Sequence, residues 1–249
     1  MNEKKHWNKI GNKYEGEIFD VFKSDLNKKI PACIGRHANK NYTALDFGCG
    51  TGRAFPLLIK NFRKVYGLDI SDRLLTEANA TRFANVTLQQ ADLTQPKANL
   101  PNVDFLFSSN VIMLPRPEQN RAMLKNVHRA LRHGGTAVII VPSLDSVLHV
   151  SQQLIRWYEK EGTSIEKINR AEFAYYKNIR NILSGIIHID GVPTKHYTHA
   201  ELLLFFEDAG LSVLNIDKVE YGWHTEFDSP PRWMKAPYPW DWLVECKKD

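Results

Sequence analysis

The glycines Gly48, Gly50 and Gly52, spaced GxGxG, constrain the fold of this chain more than any other feature. They follow a short apolar run, 44–47, and precede a helical run that contains Leu57. This order indicates a turn between a strand and a helix, which is where open α/β sheets bind ligands. Glycine permits positive φ and the close approach of a ligand, and a helix N-terminus offers unpaired amide donors. The loop therefore predicts a binding site on an α/β fold.

Seven apolar runs bounded by turn residues predict β-strands. They are 44–47, 64–69, 86–89, 103–108, 136–141, 212–220 and 242–247. Helical patterns alternate with the early runs, including a helix after Ser71 and one over 119–132 that ends near Gly134, and a capping box at Thr198 starts a late helix. We therefore predict the α/β class, with a Rossmann-like, seven-stranded, mostly parallel sheet and helices on both of its faces.

The chain is expected to form a single domain, 1–249, with two additions. Residues 1–30 carry apolar positions at helical spacing and predict an N-terminal helical arm. Residues 144–197 interrupt the alternation after the fifth strand, and their spacing predicts one helix near 147–157, a second over 173–183 and a short strand at 186–189. We interpret this segment as a helical cap inserted into the main domain.

Composition excludes several classes of protein. The 249 residues are 43% hydrophobic and 24% charged, without an apolar run of about 18 residues or a secretory signal, so a globular cytoplasmic protein is expected. The net charge of +5 is too small and dispersed for a nucleic-acid footprint. Cys33, Cys49 and Cys246 follow neither CxxC nor metal-finger spacing, which predicts reduced thiols and no metal site.

Two acidic residues around the loop narrow the range of ligands that it could bind. Asp69 ends the second strand 21 residues after Gly48, where a carboxylate can accept hydrogen bonds from both ribose hydroxyls of an adenosine. The GxGxG spacing is tighter than the GxGxxG of nicotinamide enzymes. Asp46 precedes the glycines, where it can engage an ammonium group and would disfavour a pyrophosphate.

At this point residues 40–145 resemble the class I S-adenosylmethionine-dependent methyltransferases, most closely the small-molecule type. The matching motifs are 45–52, 65–71, 90–93 and 132–135. By resemblance Asp69 would bind ribose, Ile70 would pack on adenine, and Asp92 would accept the adenine amine with the Leu93 backbone nearby. Ser109 and Asn110 would face the methionine part. The residues predicted to bind S-adenosyl-L-methionine are Trp7, Tyr14, Asp46, Gly48, Cys49, Gly50, Gly52, Asp69, Ile70, Asp92, Leu93, Ser109 and Asn110.

Residues outside these motifs are less constrained. Trp7 and Tyr14 on the arm would close over the cofactor, as such arms do in similar methyltransferases, or belong to an ordinary amphipathic helix. His196 and Tyr197 lie where the insertion returns to the sheet and are the predicted catalytic residues. Their alternative roles are a solvated histidine and a tyrosine packed at a helix entry. The aromatic segment 221–242 is expected to cover the sheet edge rather than to line an acceptor pocket.

The predicted function is methyl transfer to a small-molecule acceptor by in-line displacement, in which a base is optional. The alternatives are a cofactor-binding regulatory module without catalysis and a methyltransferase acting on a protein or RNA. The base-methyltransferase signature, Asp-or-Asn followed by Pro-Pro-Tyr, is absent after 103–108, which disfavours nucleic acid. A nicotinamide-dependent oxidoreductase is disfavoured by the glycine spacing. We expect a monomer or homodimer that does not bind a membrane.

Overall fold

The computed structural model describes residues 20–80 and 83–249. Its strands are β1 (Asn39–Phe47), β2 (Phe62–Asp69), β3 (Val86–Gln90), β4 (Val103–Ser109), β5 (Leu131–Pro142), β6 (Ile186–Ile189), β7 (Val192–Lys195), β8 (Leu211–Glu220) and β9 (Trp240–Lys248). Its α-helices are α1 (Val21–Ser24), α2 (Lys29–Arg36), α3 (Phe55–Asn61), α4 (Asp72–Ala80), α5 (Pro117–Ala130), α6 (Leu144–Lys160), α7 (Ile179–Ser184) and α8 (His199–Glu207). Short 3₁₀ helices span Ile165–Lys167, Arg170–Tyr176 and Trp223–Thr225.

Seven strands form one sheet in the order β3-β2-β1-β4-β5-β9-β8. The strands from β3 to β5 pair in parallel, whereas β9 runs antiparallel to both β5 and β8. These are the seven predicted strands, and the Rossmann-like class is confirmed. The strand order reverses between β1 and β4, and open α/β sheets bind ligands beyond the carboxyl ends of the strands at such a point.

Apolar layers cover both faces of the sheet. Along β4, successive side chains point to opposite faces, so Leu106 belongs to one core cluster and Phe105 to the other. Helix α5 supplies Leu124 to the first cluster, and α3 supplies Phe55 to the second. Strands enclosed in this way are apolar on both faces, which explains the continuous apolar runs of the central strands.

Two of the predicted helix starts are confirmed. The Ser71 hydroxyl accepts a hydrogen bond from Leu74 N at 3.2 Å, and the Thr198 hydroxyl accepts one from Glu201 N at 3.2 Å. The predicted bounds of the helix over 119–132 were wrong at both ends. Helix α5 begins at Pro117, whose fixed φ suits a first turn, and ends at Ala130. Leu131 is already extended, so the helix ends before Gly134 is reached.

The insertion 144–197 contains helices and the predicted strand at 186–189, but it differs from the prediction in its second helix and in an additional strand. Helix α6 covers the first predicted helix, but the second is divided into a 3₁₀ helix and α7. Lys177 separates the two with φ of 55°, and Asn178 caps α7 by accepting from Asn181 N. Strands β6 and β7 form an antiparallel hairpin, of which the sequence pattern indicates only β6.

The insertion and the N-terminal region both reach the carboxyl edge of the sheet. Lys195 N donates to Met113 O at 2.8 Å, and Tyr197 N donates to Pro142 O at 2.9 Å, which holds the β6–β7 hairpin beside the ends of β4 and β5. From the other side, the Phe22 ring lies 5.8 Å from that of Phe107. Within the described ranges, no helix is both long and apolar enough to cross a membrane.

Candidate active site

The loop after β1 requires glycine at two positions. Gly48 and Gly52 have φ of +81° and +82°, a region that side chains with a β-carbon rarely adopt. A β-carbon on Gly48 would lie 2.3 Å from Val111 Cγ2, and one on Gly52 would lie 2.5 Å from the Phe55 ring. Gly48 N and Cys49 N both donate to Leu68 O, at 2.8 and 2.9 Å. The loop is therefore packed tightly against the ends of β2 and β4.

Asp69 ties the end of β2 to this loop. Its Oδ2 accepts from Gly50 N at 2.9 Å, and its Oδ1 accepts from Ser71 N at 2.8 Å. Burial raises the pKa of the carboxyl, while the hydrogen bonds from Ser71 and Gly50 act in the opposite direction. Because each carboxylate oxygen has a second lone pair, Asp69 can still accept from a diol.

A cavity of about 150 Å³, which we call the smaller cavity, opens beside Asp69. It brings together seven of the predicted cofactor residues: Gly48, Asp69, Ile70, Asp92, Leu93, Ser109 and Asn110. The Asp92 carboxylate on its wall accepts from Thr94 N and Oγ1 and from Gln95 Nε2. Burial raises the pKa of Asp92, but these hydrogen bonds outweigh it and the pKa lies below its ordinary value. Asp92 therefore stays an ionised acceptor.

A second cavity of about 800 Å³, the larger cavity, adjoins the first. Among its lining residues are the predicted Asp46, Cys49 and His196. The two cavities share the walls formed by Gly48, Ser109, Asn110, Met113 and Thr194. Gly50 and Gly52 line neither cavity and instead shape the loop.

Asp46 carries an unpaired acceptor inside the larger cavity. The residue is 3% exposed, and its Oδ2 has no hydrogen-bond partner. Burial, and then the charge of Asp69, raise the pKa of Asp46 to about 8. A buried carboxylate without a partner is costly unless a ligand supplies a donor or a positive charge. The arrangement therefore fits an ammonium group, as the sequence predicts.

Cys49 is a wall residue rather than a nucleophile. Burial, followed by the charges of Asp46 and Asp69, raises the pKa of its thiol far above the ordinary range. The thiol therefore stays protonated. Cys33, Cys49 and Cys246 are all buried and unbridged, which confirms the prediction of free thiols.

The structure separates the two predicted catalytic residues. His196 lines the larger cavity, and its Nδ1 lies 3.1 Å from Thr194 O. A carbonyl oxygen only accepts, so this bond places the proton on Nδ1 and leaves a lone pair on Nε2. Burial lowers the pKa of His196 to about 4, so the ring is neutral at pH 7.

Tyr197 points away from both cavities. It is 1% exposed in the apolar core, where its ring stacks on Phe205 at 5.4 Å between centroids. Its backbone carbonyl accepts from Trp242 Nε1 at 3.0 Å, and its own hydroxyl has no hydrogen-bond partner. This placement matches the packing role that the sequence left as the alternative. Trp7 and Tyr14 lie outside the described residues.

The sequence missed a polar group at the start of β9. Asp241 lines the larger cavity, and its Oδ2 accepts from Tyr221 Oη at 2.9 Å and from Asn110 Nδ2 at 3.3 Å. Tyr221, Phe227 and Trp240 also line this cavity. The segment 221–242 was expected only to cover the sheet edge, so the structure corrects that expectation. No residue spacing in this segment signals the carboxylate.

A separate cluster lies on α2 and β9. Cys33 Sγ and His37 Nε2 lie 2.9 and 3.2 Å from Glu245 Oε2. Arg36 donates to both Glu245 and Cys33, at 2.8 and 3.3 Å, and so supplies the positive charge there. The cluster has an internal counterion and lines neither cavity.

Comparison with known proteins identifies the scaffold that holds these cavities. The family model described as a methyltransferase domain matches residues 44–135, from β1 to the start of β5. Over these residues the chain is similar to the methyltransferase-domain family, and its fold is that of S-adenosylmethionine-dependent methyltransferases. S-adenosylmethionine is the cofactor of this family, and the unpaired Asp46 oxygen beside the Asp69 loop fits its ammonium group. This match agrees with the glycine spacing in disfavouring the nicotinamide alternative.

Individual relatives agree with this assignment at low identity. An uncharacterized methyltransferase of Staphylococcus carnosus is 23% identical over 73% of this chain and 84% of its own length. Trans-aconitate 2-methyltransferase of Deinococcus radiodurans is 31% identical, but the match spans only 45% of this chain and 41% of that protein. In structure, a methyltransferase of Anabaena variabilis is similar with a TM-score of 0.63 at 16% identity, covering 100% of this chain and 96% of the other.

Proposed function

We propose that this protein transfers the methyl group of S-adenosylmethionine to a small molecule held in the larger cavity. One observation carries the proposal: a cavity of about 800 Å³ shares a wall with the smaller cavity that collects the predicted cofactor residues. A cavity of this size encloses a drug-sized ligand. The shared residues Ser109 and Asn110 lie where the two compartments meet. The name of the trans-aconitate relative also points to a small acceptor for that protein.

The residues of the smaller cavity would hold the nucleoside. Asp69 would accept from the ribose hydroxyls, Ile70 and Leu93 would pack on adenine, and Asp92 would accept from the adenine amine. Asp46 would pair with the ammonium group from the side of the larger cavity. When bound, S-adenosylmethionine supplies a methyl group on a positively charged sulfur, and its displacement leaves a neutral thioether.

The chain itself contributes positioning and the exclusion of water. The β6–β7 hairpin and α6 cover the larger cavity, with Ile187 and Val150 among the residues of its wall. Holding two reactants in line in a dry cavity accounts for a large share of the rate enhancement in such displacements. His196, with a lone pair on Nε2, remains a candidate proton acceptor. Tyr197 is retained only as a packing residue.

Two measurements test this proposal. Calorimetry with S-adenosylhomocysteine should show binding that Asp69→Ala weakens by about 100-fold or more, because two charge-assisted hydrogen bonds are lost. Glu207→Gln, on the exposed end of α8, should leave the affinity unchanged. Absence of binding to the folded protein would refute the assignment of the cofactor site.

The acceptor class is tested with methyl-labelled S-adenosylmethionine and a cell extract separated by size. We expect label in the small-molecule fraction. Label confined to protein or RNA would refute the small-acceptor proposal. Cofactor binding without transfer to any fraction would instead support the regulatory module. A cytoplasmic location and a monomer or homodimer remain predictions, to be checked by fractionation and light scattering.

A further inference from the structure

The larger cavity is lined by more acidic than basic side chains, so its potential is negative wherever those carboxyls are ionised. Its wall includes the carboxylates of Asp20, Asp46, Glu172, Asp190, Glu226 and Asp241. Among the described residues that line it, Arg53 is the single lysine or arginine, and its Nη1 lies 3.8 Å from Asp20 Oδ2. Facing histidines are His188 and His196, and the second is neutral at pH 7. A potential of this sign attracts cations and repels anions.

Two residues that line this cavity carry a side-chain oxygen without a donor. Asp46 Oδ2 is buried without a partner, and so is Asn110 Oδ1. Asn110 lines both cavities and is held with φ of 53°. Unpaired buried acceptors are costly, so the ligands of this cavity must bring donors. Asp46 is matched by the cofactor ammonium group, which leaves Asn110 and its neighbour Asp241 for a second ligand.

Asp241 is the carboxylate best placed for that second ligand. It lies at the start of β9, opposite Pro142 at the end of β5, and is hydrogen-bonded to Asn110 just beyond the end of β4. Tyr221 Oη and Asn110 Nδ2 both donate to Asp241 Oδ2. Asp241 is only partly buried, and it lines the cavity. Burial, together with the charge of Glu226, raises the pKa of Asp241 to about 7, while the hydrogen bonds from Tyr221 and Asn110 act in the opposite direction.

The other walls of the cavity are aromatic. Phe22, Tyr175, Tyr221, Phe227 and Trp240 line it together with the apolar side chains of α6. Aromatic faces bind organic cations as well as apolar groups. A ligand that joins a positively charged nitrogen to an apolar body therefore matches both the charge and the walls.

Resting on the proposed function, we infer that the methyl acceptor is a small organic amine and that Asp241 is the carboxylate that binds its nitrogen. The acceptor enters as an ammonium ion and gives one proton to the Asp241 carboxylate, which passes it to water. The nitrogen lone pair then forms a bond to the methyl carbon while the carbon–sulfur bond breaks with its electron pair on sulfur. The products are an N-methylammonium ion and a neutral thioether.

Binding to the complex with S-adenosylhomocysteine tests this inference separately from the cofactor site. The probes are arylalkylamines and alkylamines such as 2-phenylethylamine, each paired with the carboxylate of equal length, such as 3-phenylpropanoate. We expect amines to bind at least about 10-fold more tightly than their carboxylate partners, since a charge-assisted hydrogen bond is gained. If no amine in the set exceeds its partner, the inference is wrong, whereas failure of S-adenosylhomocysteine to bind refutes the proposed function instead.

Substitution of Asp241 then assigns the residue. Asp241→Asn should weaken amine binding by about 10-fold and leave S-adenosylhomocysteine affinity within about 2-fold. Glu207→Gln serves as the surface control and should retain amine binding. Asp241→Asn could instead weaken binding of S-adenosylmethionine relative to S-adenosylhomocysteine and leave amine binding unchanged. In that case Asp241 binds the cofactor sulfonium and the inference is wrong. Thermal melts confirm that each variant is folded.

Discussion

Replacing Asp46 with asparagine should stabilise the cofactor-free protein while weakening cofactor binding. Asp46 is 3% exposed, and its pKa is raised to about 8 from 3.8. A carboxyl whose pKa is higher in the folded state than in the unfolded state stabilises the fold. This contribution is complete below the unfolded pKa of about 4. This contribution is lost as the pH rises through about 8. At pH 7 the ionisable side chain therefore lowers the free energy of unfolding by about 4 kcal/mol relative to a neutral one.

The asparagine does not recover the whole of this difference. Its amide occupies the place of an oxygen that has no hydrogen-bond partner, and an unpaired buried polar group costs about 1–3 kcal/mol. The expected net gain at pH 7 is about 1–3 kcal/mol, which raises Tm by several degrees in a chain of this size. At pH 4.5 the unfolded carboxyl is itself partly protonated, so the gain should vanish.

Thermal melts of the cofactor-free wild type and Asp46→Asn, recorded from pH 4.5 to 8.5, measure this difference. Asp92→Asn is the matched control, because Asp92 lines the smaller cavity but hydrogen bonds hold its pKa low, so its neutralisation should not stabilise the fold. Calorimetry should show S-adenosylhomocysteine binding weakened by about 10-fold or more in Asp46→Asn. A Tm difference that is independent of pH, or a lower Tm for Asp46→Asn at pH 8, would refute the reasoning.

Three further substitutions test other parts of the structure. Gly48→Ala should abolish measurable S-adenosylhomocysteine binding and lower stability by about 1–3 kcal/mol, because its φ is +81° and the new β-carbon would collide with Val111; wild-type affinity would contradict the loop geometry. Tyr197→Phe should keep methyl transfer and change stability by less than about 1 kcal/mol, since the buried hydroxyl has no partner; loss of transfer alone would return the residue to catalysis. Thr198→Ala should lower Tm through the loss of about 1 kcal/mol of helix capping, with Thr198→Ser as the control that retains it.

The proposed cofactor half of the site could be predicted from sequence because its residues lie next to regular elements. Gly48 follows β1, Asp69 ends β2 and Asn110 follows β4, and these strand ends meet at one edge of a parallel sheet. A local pattern of apolar runs therefore fixes their relative positions without long-range information. The same argument placed Asp92, which comes two residues after the end of β3.

The proposed acceptor half depends on strand pairings that no local sequence pattern encodes. Asp241 reaches the cavity because β9 inserts antiparallel between β5 and β8, which sets it opposite Pro142. In the sequence it stands between Trp240 and Trp242 and resembles part of an aromatic strand. His196 and Tyr197 show a second limit of prediction from sequence. Their position at the sheet edge could be predicted, but adjacent residues of an extended chain face opposite ways, and only the hairpin packing decides which one meets the cavity.

Asp46 and Asp241 both have a raised pKa, and the two proposed ligands give each carboxylate a role. Asp46 and Asp241 line one cavity, burial raises the pKa of both, and each has fewer hydrogen-bond donors than it can accept. A structural role would favour replacing such groups with apolar residues, because burying an unpaired charge lowers stability. On the proposed function each carboxylate matches one cation, the ammonium group of the cofactor and the nitrogen of the acceptor. The stability lost in the free protein is then returned as binding energy at the place where methyl transfer occurs.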